Sequence, residues 1–141
     1  MHTPDELVGL YRARGLKMTP QRQAVFSAVF ANEDHHTAET VHRMVLQNLP
    51  TVSLRTVYSV LTELVEMGEI LSHDMGTGST RFDPNNSAHH HVVCDQCASI
   101  SDVDLGPVES AIQNQLGSKF QIRSTEIVVR GRCPKCTAHN N

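Results

Sequence analysis

Every cysteine of this chain falls into one of two Cys-x-x-Cys pairs, Cys94/Cys97 and Cys133/Cys136, and the tract His89-His90-His91 stands just before the first pair. Two residues between thiols let one tight turn aim both sulfurs at a single ion, the pattern of a tetrahedral thiolate site for zinc. The long interval between the pairs means that the ion ties two distant elements together instead of closing one compact finger. Four thiolates leave no position for water, so this zinc is expected to be structural. Buried thiols without a role are one alternative, and the matched spacing argues against them. Two disulfides are another; the polar N-terminus, with His2, Asp5 and Glu6 where a signal peptide would be apolar, argues for a reducing cytoplasm instead.

The histidines form a second set. On a strand, His89 and His91 share one face while His90 points the other way. Two imidazoles so spaced chelate an ion but need further ligands, and Asp83, Asp102 and the His35-His36 pair are candidates. A set of five mixed nitrogen and oxygen donors suits Fe(II) or Mn(II) at least as well as Zn(II). Solvated surface histidines are the competing reading. A metalloenzyme is disfavoured, because no Gly-rich pocket loop, nucleophile motif or poised acid/base pair accompanies the set.

The elements that must position these groups can be read from caps and periodicity. Thr19-Pro20 starts a helix with Ala24, Val25, Ala28 and Val29 as its stripe. Thr37 caps a second helix carrying Val41, Met44 and Val45. Ser53 opens a third, with Leu54, Val57, Leu61, Leu64 and Val65 on one side and Gly68 at its end. Ile70–His73 and Ser79–Asp83, joined through Gly76-Thr77-Gly78, predict a hairpin. Three short helices and a hairpin make a winged helix-turn-helix over 1–82, whose third helix enters a major groove. The turn-forming stretch from Asp83 to Ser87 predicts a hinge at 83–88. Over 89–141 we expect strands at His89–Val93, Ser99–Val103 and Phe120–Val129, and a helix at Pro107–Leu116 with Val108, Ile112 and Leu116 as its stripe. The tail after Cys136 is expected to be disordered. The fold class is thus α+β, a winged helix followed by a small α/β domain that zinc stabilises where burial alone does not suffice.

Charge points to a partner. The formal net charge is −3, so the chain is not generally basic. Yet Arg12, Arg14, Lys17 and Arg22 lie between Leu7 and Asn32 without an acid, and Arg43 and Arg55 do so between Thr40 and Thr62. These windows could face phosphate. Arg55, Thr56, Tyr58 and Ser59 lie opposite the apolar stripe at the front of the third helix, and of these Arg55 and Tyr58 are the candidate base contacts. Arg12, Arg14, Lys17 and Arg22 are candidate phosphate contacts, which position without specifying. No run of 18 apolar residues exists, so no membrane-spanning helix is expected.

Over nearly its full length the chain resembles the ferric uptake regulator family of bacterial metal-dependent repressors. The stretches that carry the resemblance are Met18-Thr19-Pro20-Gln21-Arg22, Ser53-Leu54-Arg55-Thr56-Val57-Tyr58, His89–Cys97 and Cys133-Pro134-Lys135-Cys136. The resemblance implies a homodimer on an inverted-repeat DNA operator, a C-terminal dimerisation domain stapled by zinc, and a regulatory ion between the domains. Its ligands would be His35, Asp83, His89, His91 and Asp102. Aspartate at both 83 and 102 resembles the peroxide-sensing branch, where Fe(II) and hydrogen peroxide oxidise a ligand histidine, here His35 or His89, and DNA is released. A repressor of metal uptake answering to iron, manganese, zinc or nickel without peroxide chemistry is the alternative. A further zinc site of some relatives maps onto Ala88, His90, Glu109 and Thr125, where two of four ligands are lost.

Overall fold

Four hydroxyl side chains start the helices of the N-terminal half. Thr3, Thr19, Thr37 and Ser53 each accept the backbone N–H three residues on, from Glu6, Arg22, Thr40 and Thr56. Each thereby satisfies one donor that the first helical turn leaves without an intrahelical partner. The computed structural model describes residues 1–32 and 34–138. The chain divides into two compact units, Met1–Asn86 and Ser87–Asn141.

The first unit contains α1 (Pro4–Ala13), α2 (Pro20–Phe30), α3 (Ala38–Leu46), α4 (Leu54–Glu66), β1 (Leu71–His73) and β2 (Arg81–Asp83). The sequence led us to expect three helices here, so α1 is a correction. It begins with a full capping box, in which the Glu6 carboxylate also accepts the Thr3 backbone N–H, and it buries Leu7 and Tyr11. The three-and-four spacing of Val57, Leu61 and Leu64 buries one side of α4 against Val25, Phe26, Val29, Val41 and Val45. Strands β1 and β2 pair antiparallel in the register Leu71↔Asp83, Ser72↔Phe82 and His73↔Arg81. They are shorter than the expected hairpin arms. His36 adds a bridge to Phe82 through backbone hydrogen bonds of 3.2 and 2.8 Å, which ties the residue beside His35 to the wing. Helices α3 and α4 with the β1–β2 wing constitute a winged helix-turn-helix.

Tyr11 and Phe26 meet at a centroid separation of 5.0 Å inside this core. Both are fully buried, so Phe26→Ala leaves a cavity beside a ring that cannot collapse into it. A loss of about 3–5 kcal/mol is expected, read as a lowered denaturant midpoint with unchanged slope. A loss under about 1 kcal/mol, within the range of a volume-conserving swap, would contradict the packing described.

The second unit contains β3 (His90–Cys94), β4 (Ile100–Val103), α5 (Val108–Leu116), β5 (Val128–Gly131) and α6 (Pro134–Ala138). Its sheet has the order β4-β3-β5, with β4 antiparallel and β5 parallel to β3. The expected strand over Phe120–Val129 is corrected to β5. A parallel partner pairs only where β3 faces it, from His91↔Val128 to Cys94↔Gly131, and residues 121–127 arrive without a ladder. The chain beyond Cys136 is helical through Ala138 instead of disordered; the expectation for 139–141 lies outside the described residues. Helix α5 ends at Gly117, whose φ of 76° suits a residue without a Cβ. Its apolar stripe is not covered within the chain: no α5 residue is buried, and Leu116 is 47% exposed.

Candidate functional site

The parallel register of β5 on β3 brings the cysteines together. Cys94 ends β3 opposite Gly131, so Cys133, two residues further, arrives beside it and α6 folds Cys136 back. The turn after Cys94 closes at Ala98, a non-glycine residue at φ 56° whose N–H bonds to the Cys94 carbonyl at 2.9 Å. All four sulfurs lie within 4.8 Å of one another. Cys97 and Cys133 are 3.8 Å apart, matching the roughly 3.8 Å between two sulfurs each about 2.3 Å from a tetrahedral ion. The charge balance also favours a cation. The Cys133 backbone N–H, 3.3 Å from the Cys94 sulfur, leads the donors that pull that thiol down to about 6. Cys136 is pushed up to about 12, first by hydrogen bonding with Cys133. The bare cluster resists carrying four negative charges, and a divalent ion removes that conflict.

The second set is built in two halves, one in each unit. In the second unit, the β3–β4 register places Asp102 opposite His91. His89 Nδ1 lies 2.7 Å from the Ser87 carbonyl oxygen. A carbonyl only accepts, so Nδ1 carries the proton and Nε2 keeps its lone pair. His91 Nδ1 lies 3.4 Å from a Glu126 carboxylate oxygen, which favours the same tautomer. The two Nε2 atoms then face each other at 2.8 Å, and Asp102 Oδ1 is 3.5 Å from the His89 Nε2. Facing lone pairs repel at that distance. A shared cation relieves them, and two ligands at right angles, each about 2.1 Å from one ion, stand about 3.0 Å apart. In the first unit, His35 Nε2 and Asp83 Oδ2 are 3.3 Å apart, with side chains 2% and 0% exposed. Burying a carboxylate so deeply is costly without positive charge beside it. Asp83 Oδ1 accepts the Asn85 N–H at 2.8 Å, which aims Oδ2 at His35. His73 Nε2 stands 3.8 Å from the same Oδ2.

Two residues of this neighbourhood escaped the sequence reading. Glu126 has no motif around it. His73 stands ten positions before Asp83, a relation visible only once the hairpin register is known.

On the first unit, Arg55, Tyr58 and Ser59 are exposed along the front of α4, opposite the buried Val57, Val60 and Leu61. Thr56 is half-buried and its hydroxyl is engaged with Ser53 at 2.8 Å. The Tyr58 hydroxyl donates to Glu39 on α3 at 3.1 Å, which orients the ring. Arg12, Arg14 and Lys17 are exposed. Arg22 differs: it donates to both Glu63 oxygens, at 3.1 and 2.8 Å, and to the Lys17 carbonyl, and lies 5.3 Å from the Tyr11 ring centroid. Its guanidinium braces α2 against α4, so the expectation of a phosphate contact is replaced by a structural role.

A winged helix-turn-helix joined to a domain with a zinc-type cluster of four cysteines, with His/Asp ligand sets besides, defines a metal-dependent DNA-binding regulator. The profile of the ferric uptake regulator family matches residues 13–130, and the chain belongs to that family. Its members are transcriptional regulators and not enzymes. The peroxide-responsive repressor PerR of Staphylococcus aureus is 28% identical over 138 residues, covering 96% of this chain and 92% of that protein. The Helicobacter pylori ferric uptake regulator Fur, a protein with three functional metal-binding sites, superposes with a TM-score of 0.82 at 22% identity, over 94% of this chain and 90% of its own. The Pseudomonas aeruginosa ferric uptake regulator, solved with manganese, gives 0.70 at 25% identity, over 95% and 99%. Among the described residues no helix is long and apolar enough to cross a membrane.

Proposed function

We propose that this protein is a homodimeric repressor whose hold on DNA depends on one divalent ion gripped by His35, Asp83, His89, His91 and Asp102, with zinc at the four cysteines. The observation that carries the reading is the pair of facing Nε2 lone pairs on His89 and His91, set by tautomer-fixing acceptors behind each ring. His35 with Asp83 supplies a second donor pair of the same kind on the first unit. An ion held by donors of both units, which flank a hinge at 83–88, couples metal to the pose of the reading helix. It can shift that equilibrium only by its preference for the closed form. Arg55 and Tyr58 read bases, with Thr56 and Ser59 beside them, while Arg12, Arg14 and Lys17 hold phosphate. The exposed Leu116, Phe120, Val128 and Val129 form the surface that a second copy covers. Two reading helices on one dimer imply an inverted-repeat operator with half-sites about 34 Å apart. The setting is the bacterial cytoplasm, and a Mn(II)-loaded chain selecting duplexes from a random pool is expected to recover such a repeat.

Aspartate at both carboxylate positions, together with the similarity to PerR, favours peroxide as the signal. Bound Fe(II) supplies the electron that turns hydrogen peroxide into an oxidant at the ion. One oxygen atom is retained on the imidazole of His35 or His89 and the other leaves as water. The altered ring donates poorly, and the grip on the ion is lost. Exposing Fe(II)-loaded and Mn(II)-loaded protein to low peroxide tests this by mass spectrometry. A gain of one oxygen on a peptide containing His35 or His89, with iron only, is expected. Equal masses in both samples would assign the protein to metal supply instead.

A further inference from the structure

The carboxylate of Asp83 carries more than the pairing with His35. Its Oδ1 is occupied by the Asn85 N–H at 2.8 Å, so Oδ2 alone faces the interior. Two imidazole nitrogens approach that single oxygen, His35 Nε2 at 3.3 Å and His73 Nε2 at 3.8 Å. The side chains of Asp83, His35 and His73 are 0%, 2% and 13% exposed. The hairpin register explains the approach: with His73 opposite Arg81 and Leu71 opposite Asp83, side chains at 71, 73, 81 and 83 share one face of the wing. The His36–Phe82 bridge brings His35 to the same place from the start of α3.

The longer separation is informative. At 3.8 Å a nitrogen and an oxygen do not share a hydrogen bond. Two ligands each about 2.1 Å from one ion, however, lie between about 3.0 Å at a right angle and about 4.2 Å when opposite. Both separations to Oδ2 fall inside that interval.

We infer that His73 is a further nitrogen ligand of the regulatory ion, so that the first unit grips it with two imidazoles and one carboxylate. The inference rests on the reading of the His/Asp set given above and extends it. Its consequence is selectivity. Each added imidazole favours later, nitrogen-seeking ions such as Co(II) and Zn(II) over Mn(II), which prefers oxygen. It also fills a coordination position that peroxide would otherwise reach, tuning the response towards metal supply.

The test uses the full-length, zinc-replete protein loaded with Co(II) at the second site. Paramagnetic NMR resolves one strongly shifted ring N–H signal for each ligand histidine. Wild-type protein is compared with His73→Gln, which keeps the bulk and cannot ligate through a ring, and with His89→Ala. We expect His73→Gln to lose one shifted signal, to bind Co(II) at least about tenfold more weakly, the loss that even outer-shell partners bring, and to change less in Mn(II) affinity. Loss of a signal in His89→Ala with none lost in His73→Gln overturns the His73 assignment and leaves the wider site standing. Weaker binding in His73→Gln with every shifted signal retained makes His73 a positioning residue and equally overturns ligation. If neither substitution removes a signal, the regulatory site itself is wrong.

Discussion

A Cys133→Ser chain is expected to lose its zinc and, with it, the cooperative melting of the second unit. The reason lies in how little apolar surface that unit buries. Every residue of the main hydrophobic cluster, from Leu7 to Phe82, belongs to the first unit. The second unit contributes only Val93, Cys94 and Ile100 to the buried apolar set, and α5 contributes none. A small sheet with so thin a core does not offset the conformational entropy of ordering it. A structural zinc supplies on the order of 10 kcal/mol or more at neutral pH, far above any contact within the unit. Removing one sulfur also breaks the N–H contact between Cys133 and Cys94 in its present geometry and opens the shell to water. Metal analysis together with thermal melting checks the expectation. Zinc should fall below one equivalent, and the transition of the second unit should disappear while that of the first persists. A zinc-free variant that still showed both transitions would refute the staple.

The second large effect concerns Asp102. Asp102→Ala removes the carboxylate 3.5 Å from the His89 Nε2 while leaving β4 paired to β3 through its backbone. Asp102 is exposed, so its loss creates no cavity. The expected result is therefore a selective one: zinc content and melting unchanged, metal-stimulated DNA binding lost. If the ion holds the DNA-competent arrangement a hundredfold more tightly than the open one, its loss removes about 2.7 kcal/mol from operator binding. Fluorescence anisotropy with a selected duplex, titrated with Mn(II), measures that difference. His89→Ala is expected to behave alike. DNA binding that rises with Mn(II) as steeply in either variant as in the parent would remove the ion from the switch.

How much of this was legible in the chain follows from the range of each signal. The caps at Thr19, Thr37 and Ser53 act over three residues, and the helices begin where those residues stand. Helix α1 carried the same signal in Thr3 and Glu6, with Pro4 at its first position. It escaped the reading because its buried face rests on two residues, Leu7 and Tyr11, too few for a clear period. The long strand expected over Phe120–Val129 failed for another reason. Its apolar composition was real, but a strand exists only where a partner offers a ladder, and β3 offers one only to Val128–Gly131.

For the sites, the division is similar. Two Cys-x-x-Cys pairs and a His-x-His step declare ligand chemistry by local spacing alone, since a tight turn and a pleat fix where such side chains point. Residue type likewise marked the cationic windows, though not their use: Arg22 reads as one more free cation until Glu63, 41 positions away, is seen to hold it. The tautomers of His89 and His91, the aim of Asp83 and the approach of His73 all depend on register and on acceptors remote in the chain. Spacing along the backbone thus determined which atoms can bind an ion. Tertiary folding alone decided which of them face one another, because strand pairing converts distant positions into neighbours by a rule that no short window of residues contains.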